Sequence, residues 1–220
     1  MGPRSSADLT GAASAAPPGP AAGVRDAPVG RPLGGEADGD APGARRPRAH
    51  RRVLPTDNGF SFGEHRWVTK PCEYEPCIDT PFLVRYPGTS QHEDPSLVSN
   101  VDVAPTIADV ANVSPSGSNS GSAPGIDGAS LLPQLTGAAP SSRKGVLIEW
   151  AGGYGMPAWF GVRTRNLAYV ELQTGERELY DIGGVVGKPD PYELRNRAGD
   201  PAYRQVQAKL AALLARLKAG

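Results

Sequence analysis

The sequence predicts an α/β chain that begins with a disordered segment and ends in a small antiparallel sheet packed by a C-terminal helix. Three observations carry this. Residues 53–140 alternate short apolar runs with loops and one amphipathic stretch. Residues 141–180 hold four short strand-like runs, and residues 201–217 place apolar side chains at helical spacing. The expected divisions are therefore 1–52, 53–140 and 141–220.

Composition narrows the reading. The 28 Gly and 23 Pro make up nearly a quarter of the 220 residues, well above average usage. Residues 1–52 contain eight arginines, no lysine and no aromatic residue, and show no period of 2 or 3.6. Such a stretch cannot bury enough apolar surface to offset the entropy of ordering. Five of its arginines crowd into residues 45–52. They read either as a basic tail for acidic partners or as an unselected stretch of GC-rich coding sequence, and the second is the expectation. A formal net charge of zero argues against a nucleic-acid surface. No apolar run approaches a membrane span, and residues 1–8 lack the apolar core of a secretory signal.

From 53 to 88 the pattern is strand, long loop, strand. Val53-Leu54 reads as the end of a buried strand. Phe82-Leu83-Val84 is a second short apolar run, opened by Pro81 and closed by Pro87-Gly88. Residues 97–113 are predicted as a helix with Asp102 at its N-cap and Pro105 in its first turn. Val103, Ile107, Val110 and Ala111 form its apolar stripe. Residues 114–125, rich in Ser, Gly, Pro and Asn, read as a surface loop, and 130–135 as one or two helical turns.

The four strand-like runs are 145–150, 159–163, 167–172 and 177–180, with Thr174-Gly175 as the turn between the last two. Asp200 caps the closing helix, Pro201 takes its first position, and Lys218 and Gly220 mark its end. Tyr203, Val206, Leu210, Leu213, Leu214 and Leu217 share one face. Burying five or six such side chains yields on the order of 10 kcal/mol gross, so this part is expected to be the best ordered.

The stretch that carries chemistry starts at Asp57-Asn58-Gly59. Asp57 offers a carboxylate and Asn58 a carbonyl, both hard oxygen donors suited to Ca²⁺ or Mg²⁺, where a strand gives way to a loop. Gly59 would let the backbone turn sharply, and Lys70 could bring an ammonium to an anion beside the cation. Asx-Gly is equally an ordinary turn signal. Cys72 and Cys77 could form a local disulfide; two ordinary thiols are the expectation, since neither sits in a C-x-x-C pair or a zinc spacing.

Asp57-Asn58-Gly59 does not stand alone. Gly63-Glu64-His65-Arg66, Lys70, Tyr74-Glu75 and the run from Pro81 to Gly88 follow it. Next come Val101-Asp102-Val103-Ala104-Pro105-Thr106, Asp127-Gly128-Ala129-Ser130-Leu131-Leu132-Pro133, Val162-Arg163-Thr164 and Glu178-Leu179-Tyr180-Asp181. The series closes with Asp190-Pro191-Tyr192-Glu193-Leu194-Arg195-Asn196. In order and spacing this resembles the C-terminal part of a type I, formylglycine-dependent sulfatase of the alkaline-phosphatase superfamily, over about residues 53–218.

The resemblance implies a partial alkaline-phosphatase-like fold, with 53–140 as the end of the catalytic α/β domain and 141–220 as a sheet-plus-helix subdomain. It implies Asp57 and Asn58 as Ca²⁺ ligands, Lys70 as a sulfate contact, and His65 as a substrate-pocket or proton-transfer residue. The substrate would be a sulfate ester or sulfated sugar. A sulfatase also needs a C/S-x-P/A-x-R motif whose cysteine or serine becomes formylglycine, and early Asp-Asp metal ligands; neither occurs here. The expectation is a truncated sulfatase, inactive alone, whose partner could be a separate N-terminal half. A related phosphatase or phosphodiesterase and a non-catalytic remnant are the alternatives.

Overall fold

Four consecutive strands, β5 (Val146–Trp150), β6 (Trp159–Arg163), β7 (Ala168–Leu172) and β8 (Arg177–Tyr180), form an antiparallel meander in that order. The computed structural model describes residues 51–113, 128–138 and 141–219. The expected disordered segment up to residue 50, and the loop read at 114–125, lie outside the described residues. Helix α4 (Arg204–Lys218) lies on one face of the meander, entered through a 3-10 turn at Pro201–Tyr203 whose cap is Asp200, with its Oδ1 accepting from the Ala202 N–H at 2.9 Å.

Strand alternation decides which side chains meet the helix. Val162, Tyr169 and Leu179 pack with Tyr203, Leu210 and Leu214, and Leu147, Phe160, Val206, Leu213 and Leu217 extend that core. Val162 and Leu179 are fully buried. On the opposite face, Ala168 and Tyr180 pack against Cys72, Tyr74 and Cys77 from the earlier part of the chain.

That earlier part is less fully covered. Strands β1 (Arg52–Pro55) and β4 (Phe82–Arg85) pair antiparallel, Val53 opposite Val84 and Leu54 opposite Leu83. Between them come the two-residue strands β2 (Ser61–Phe62) and β3 (Val68–Thr69) and the short helix α1 (Glu75–Ile78). The reading of β1 and β4 as buried strands is corrected here. Leu54 is 63% and Leu83 52% exposed, because the ribbon has two strands and no described element covers that face. Arg52, assigned above to the leading segment, already belongs to β1.

The helix expected at 97–113 is shorter. A 3-10 turn at Asn100–Asp102 leads into α2 (Val103–Val110), and α3 (Leu132–Leu135) follows. Ser99 opens this segment, and Asp102 reaches back to it, accepting from the Ser99 N–H at 2.8 Å. Asp102 thus stands at the N-cap position of α2 but caps no N–H of that helix with its side chain, serving instead as the third residue of the capping arrangement that Ser99 opens. It also accepts from Ala129 N at 2.8 Å and from both Nη atoms of Arg143 at 2.6 and 2.5 Å. Of the expected stripe, Val103 and Val110 are half-buried, whereas Ile107 is 57% exposed and Ala111 exposed. No helix among the described residues is long and apolar enough to cross a membrane.

Candidate functional site

The loop after β1 is fixed at several points. Asn100 Nδ2 donates to the carbonyls of Thr56 and Asp57 at 3.0 and 3.1 Å. Gly59 N donates to the Cys77 carbonyl at 2.8 Å. A β-carbon on Gly59 would lie 2.0 Å from the Pro76 carbonyl oxygen. Gly59, which is not among the residues of positive φ, is therefore needed for close approach to α1. Asp57 Oδ1 accepts from Asn58 N at 2.9 Å, and Asn58 Nδ2 donates to the Gly59 carbonyl at 2.6 Å. With its nitrogen so used, Asn58 has its Oδ1 as the atom to offer a cation.

Asp57, Asn58 and Lys70 line one cavity of about 940 Å³, whose lining also includes Glu149, Trp150 and Tyr154. The structure thus brings three of the four candidate residues to a common space. His65 is not in that lining. It sits in the 3-10 turn Glu64–Arg66 at φ 52°, with its ring stacked on Tyr74 at 3.8 Å and 7°. Burial lowers its pKa below the ordinary imidazole value, partly offset by the nearby Glu178 carboxylate.

Cys72 and Cys77 form a disulfide with their Cα atoms 5.7 Å apart, which corrects the reading of them as two thiols. Helix α1 supplies the reason: it begins at Glu75 between them and folds Cys77 back toward Cys72. The bridge and Tyr74 form the second apolar cluster, directly beneath the loop that carries Lys70.

A charged network ties this loop to the sheet. Arg163 of β6 makes a two-pronged pair with Glu75, Nε to Oε1 at 2.6 Å and Nη2 to Oε2 at 2.9 Å. Glu193, 2% exposed, accepts from the Glu75 N–H at 2.8 Å through Oε2, while its Oε1 is buried with no partner among the described residues. Burial pushes the Glu193 carboxyl up to about 8. Sequence reasoning missed this network as a unit. The available signal was an arginine inside an otherwise apolar strand, which demands a buried partner.

As for a cation, Asp57 and Asn58 match Ca²⁺ in kind and not in number: they offer two or three oxygens where Ca²⁺ takes six to eight. Among the described residues no three His, Cys, Asp or Glu side chains gather as a metal site.

The sequence pattern of the family described as N-sulphoglucosamine sulphohydrolase, C-terminal, matches residues 63–220. The chain belongs to this sulfatase family. It is 34% identical over 173 residues to an N-acetylglucosamine-6-O-sulfatase of Bacteroides thetaiotaomicron, covering 74% of this chain and 29% of that protein. A Δ4,5-hexuronate-2-O-sulfatase of the same organism is 31% identical over 171 residues, covering 74% and 33%. The chain therefore spans about a third of the length of these curated relatives. Among solved structures, one determined with its substrate D-glucosamine-2-N,6-O-disulfate superposes with a TM-score of 0.61 at 30% identity, covering 76% of this chain and 33% of that one. A phosphonate monoester hydrolase of Agrobacterium radiobacter also gives a TM-score of 0.61, at 25% identity, covering 76% and 34%.

Within this sulfatase C-terminal domain, three polar residues of the matching blocks are scaffold. Asp190 accepts from the N–H groups of Leu194 and Arg195, and Asn196 bridges Leu179, Ala198 and Arg177. Asp181 accepts from Val185, Val186 and Gly187 N–H and from the Tyr203 hydroxyl.

Proposed function

We propose that this chain supplies the C-terminal part of a sulfuric ester hydrolase acting on a sulfated sugar, and that it lacks the attacking group. The observation that carries this reading is the meeting of Asp57, Asn58 and Lys70 at one cavity. In this reading Lys70 neutralises an anionic sulfuryl oxygen through its ammonium. Asp57 and Asn58 hold part of a Ca²⁺ shell whose remaining ligands, together with the formylglycine nucleophile, come from a separate N-terminal half. His65, stacked on Tyr74 outside the cavity lining, takes no step in this proposal. The names of the relatives support sugar sulfates as the substrate class.

The test has two stages. Purified alone, the chain turns over no 4-nitrophenyl sulfate; detectable turnover that Lys70→Ala abolishes would refute the claim that it lacks a nucleophile. Mixed with a separately expressed N-terminal sulfatase portion bearing formylglycine, it restores turnover, and Lys70→Ala or Asp57→Ala removes at least about a hundredfold of it. The phosphonate hydrolase neighbour gives the alternative a foothold. Faster turnover of 4-nitrophenyl phenylphosphonate, a phosphonate monoester, than of the sulfate ester in that mixture would select it, although the neutral Asn58 amide is a poor ligand for the transition metals such enzymes use.

A further inference from the structure

Asp57-Asn58-Gly59 and Lys70 lie on separate arms of the chain, and the hairpin between them is a weak spacer. Strands β2 and β3 share two residue pairs, Ser61 with Thr69 and Phe62 with Val68, and both outer side chains stay in water. A lone two-stranded ribbon of that size is marginal. Both arms end instead on α1, which is itself a single turn of four residues and too short to stand alone. The Arg163–Glu75 pair fastens α1 to the sheet, and Glu193 accepts from its first N–H. On the Asp57 arm, the Gly59 N–H donates to the Cys77 carbonyl at 2.8 Å, with no room for a side chain against Pro76. On the Lys70 arm, the Lys70 carbonyl accepts from the Cys72 N–H at 2.9 Å, and Cys72 is bonded through sulfur to Cys77. Cys77 thus holds one arm by its carbonyl and the other by its sulfur.

We infer that the Cys72–Cys77 disulfide is a positioning clasp that sets Lys70 against Asp57 and Asn58, so that the candidate site is assembled in the oxidised chain and comes apart in the reduced one. The bond closes a short loop and restricts the open states of that segment, so its loss acts locally. The sheet has its own support: Val162, Tyr169 and Leu179 pack with Leu210 and Leu214 on the face away from the disulfide. Cys72 and Cys77 take no chemical step; they act through the two arms they join. The inference rests on the sulfate-ester reading above only for what the assembled site binds. That the two arms are joined through Cys77 stands apart from it.

Amide hydrogen exchange of the full 220-residue chain, followed by ¹⁵N NMR, separates a clasp from a general brace. The Gly59 amide reports the bond to Cys77, and Val162 and Val170, in the two central strands, report the sheet. Two forms without the bond are compared with the oxidised chain. One is Cys72→Ala/Cys77→Ala. The other is the wild-type chain refolded with dithiothreitol, which gives two thiols while the reagent closes to its cyclic disulfide. This second form keeps the sulfur atoms that pack with Tyr74, Ala168 and Tyr180, so it loses the bond alone. In both forms Gly59 exchange is expected to quicken on the order of tenfold, with Val162 and Val170 within about twofold of the oxidised chain. Unchanged Gly59 exchange in the reduced wild type would overturn the clasp, whatever the alanine variant does. Acceleration of all three amides by one common factor would overturn it too, as the mark of a brace for the whole fold. Inorganic sulfate, added with Ca²⁺, is the second probe. It is expected to shift the Lys70 amide, with about three- to tenfold weaker affinity in the reduced chain. Equal affinity in the two forms would uphold the sulfate reading and sink the positioning role. Sulfate that moves no amide of the oxidised chain, while Gly59 still responds to reduction, would sink the sulfate reading and leave the clasp between the arms standing.

Discussion

The β5–β8 sheet and the β1–β4 ribbon are both antiparallel, and both are written in short apolar runs, yet they end in opposite states. In the sheet, α4 covers one face and the disulfide loop the other, so Val162 and Leu179 reach zero exposure and Leu214 1%. In the ribbon, Leu54 and Leu83 are more than half exposed, as are Phe62 and Val68 in the next hairpin. A strand's composition gives its appetite for burial; the number of layers available decides whether it is met. The consequence for function is a division of labour. The candidate anion and cation ligands sit on the thinly covered half, and the sheet holds them through the Glu75–Arg163 pair and the apolar cluster around Cys72 and Cys77.

Removing a side chain from the covered half should have the largest effect. Leu214→Ala opens a hole between α4 and the sheet at a residue with 1% exposure. It is expected to cost about 2–5 kcal/mol in urea unfolding of the chain. A loss under about 1 kcal/mol would show that the sheet–helix unit is not the stabilising core.

Next in size is a dependence on pH. Glu193 has its carboxyl raised to about 8 from an ordinary value of 4.5 by burial, an effect that the hydrogen bond from the Glu75 N–H partly offsets and the Glu75 carboxylate partly restores. Below 4.5 the group is protonated folded and unfolded, and its contribution to stability is fully present. Between 4.5 and about 8 only the unfolded chain releases the proton, so stability falls as pH rises, by at most about 1.4 kcal/mol per unit for one proton. His65, whose value is lowered, works in the opposite sense below 6.5, so the wild-type curve is a sum. The difference between wild type and Glu193→Gln isolates the term: urea midpoints compared from pH 5 to 8 should fall more steeply for wild type. Parallel curves would mean that Glu193 is ionised in place beside Arg163.

The same contrast explains what could be read in advance. Strands β6 and β8 and the α4 stripe were legible because alternation and helical spacing each have one physical solution when a partner layer is present. Ile107 and Leu83 were misread because a pattern announces which side wants burial and cannot announce that no layer covers it. Asp57, Asn58 and Lys70 were singled out by donor type and by the family resemblance; they line one cavity, and their roles are those proposed above. Trp159 could not be separated in this way: its run fits packing and pocket lining alike, and in the structure it is 4% exposed and still lines the cavity.

The smallest expected effect is also the one that sharpens the comparison most. Leu83 is 52% exposed on β4 and Ile107 57% exposed on α2. In the chain alone, Leu83→Asp removes apolar surface that water already reaches, so the urea midpoint should stay within about 0.5 kcal/mol of wild type. If the separate N-terminal half proposed above docks on this ribbon, the same change would bury an unpaired carboxylate in that interface, which is costly. Leu83→Asp should then lower the affinity of the two halves, read by analytical ultracentrifugation, by at least about tenfold while the chain itself stays folded. Equal affinity for wild type and Leu83→Asp would mean that the ribbon's exposed leucines are simply surface and take no part in that docking.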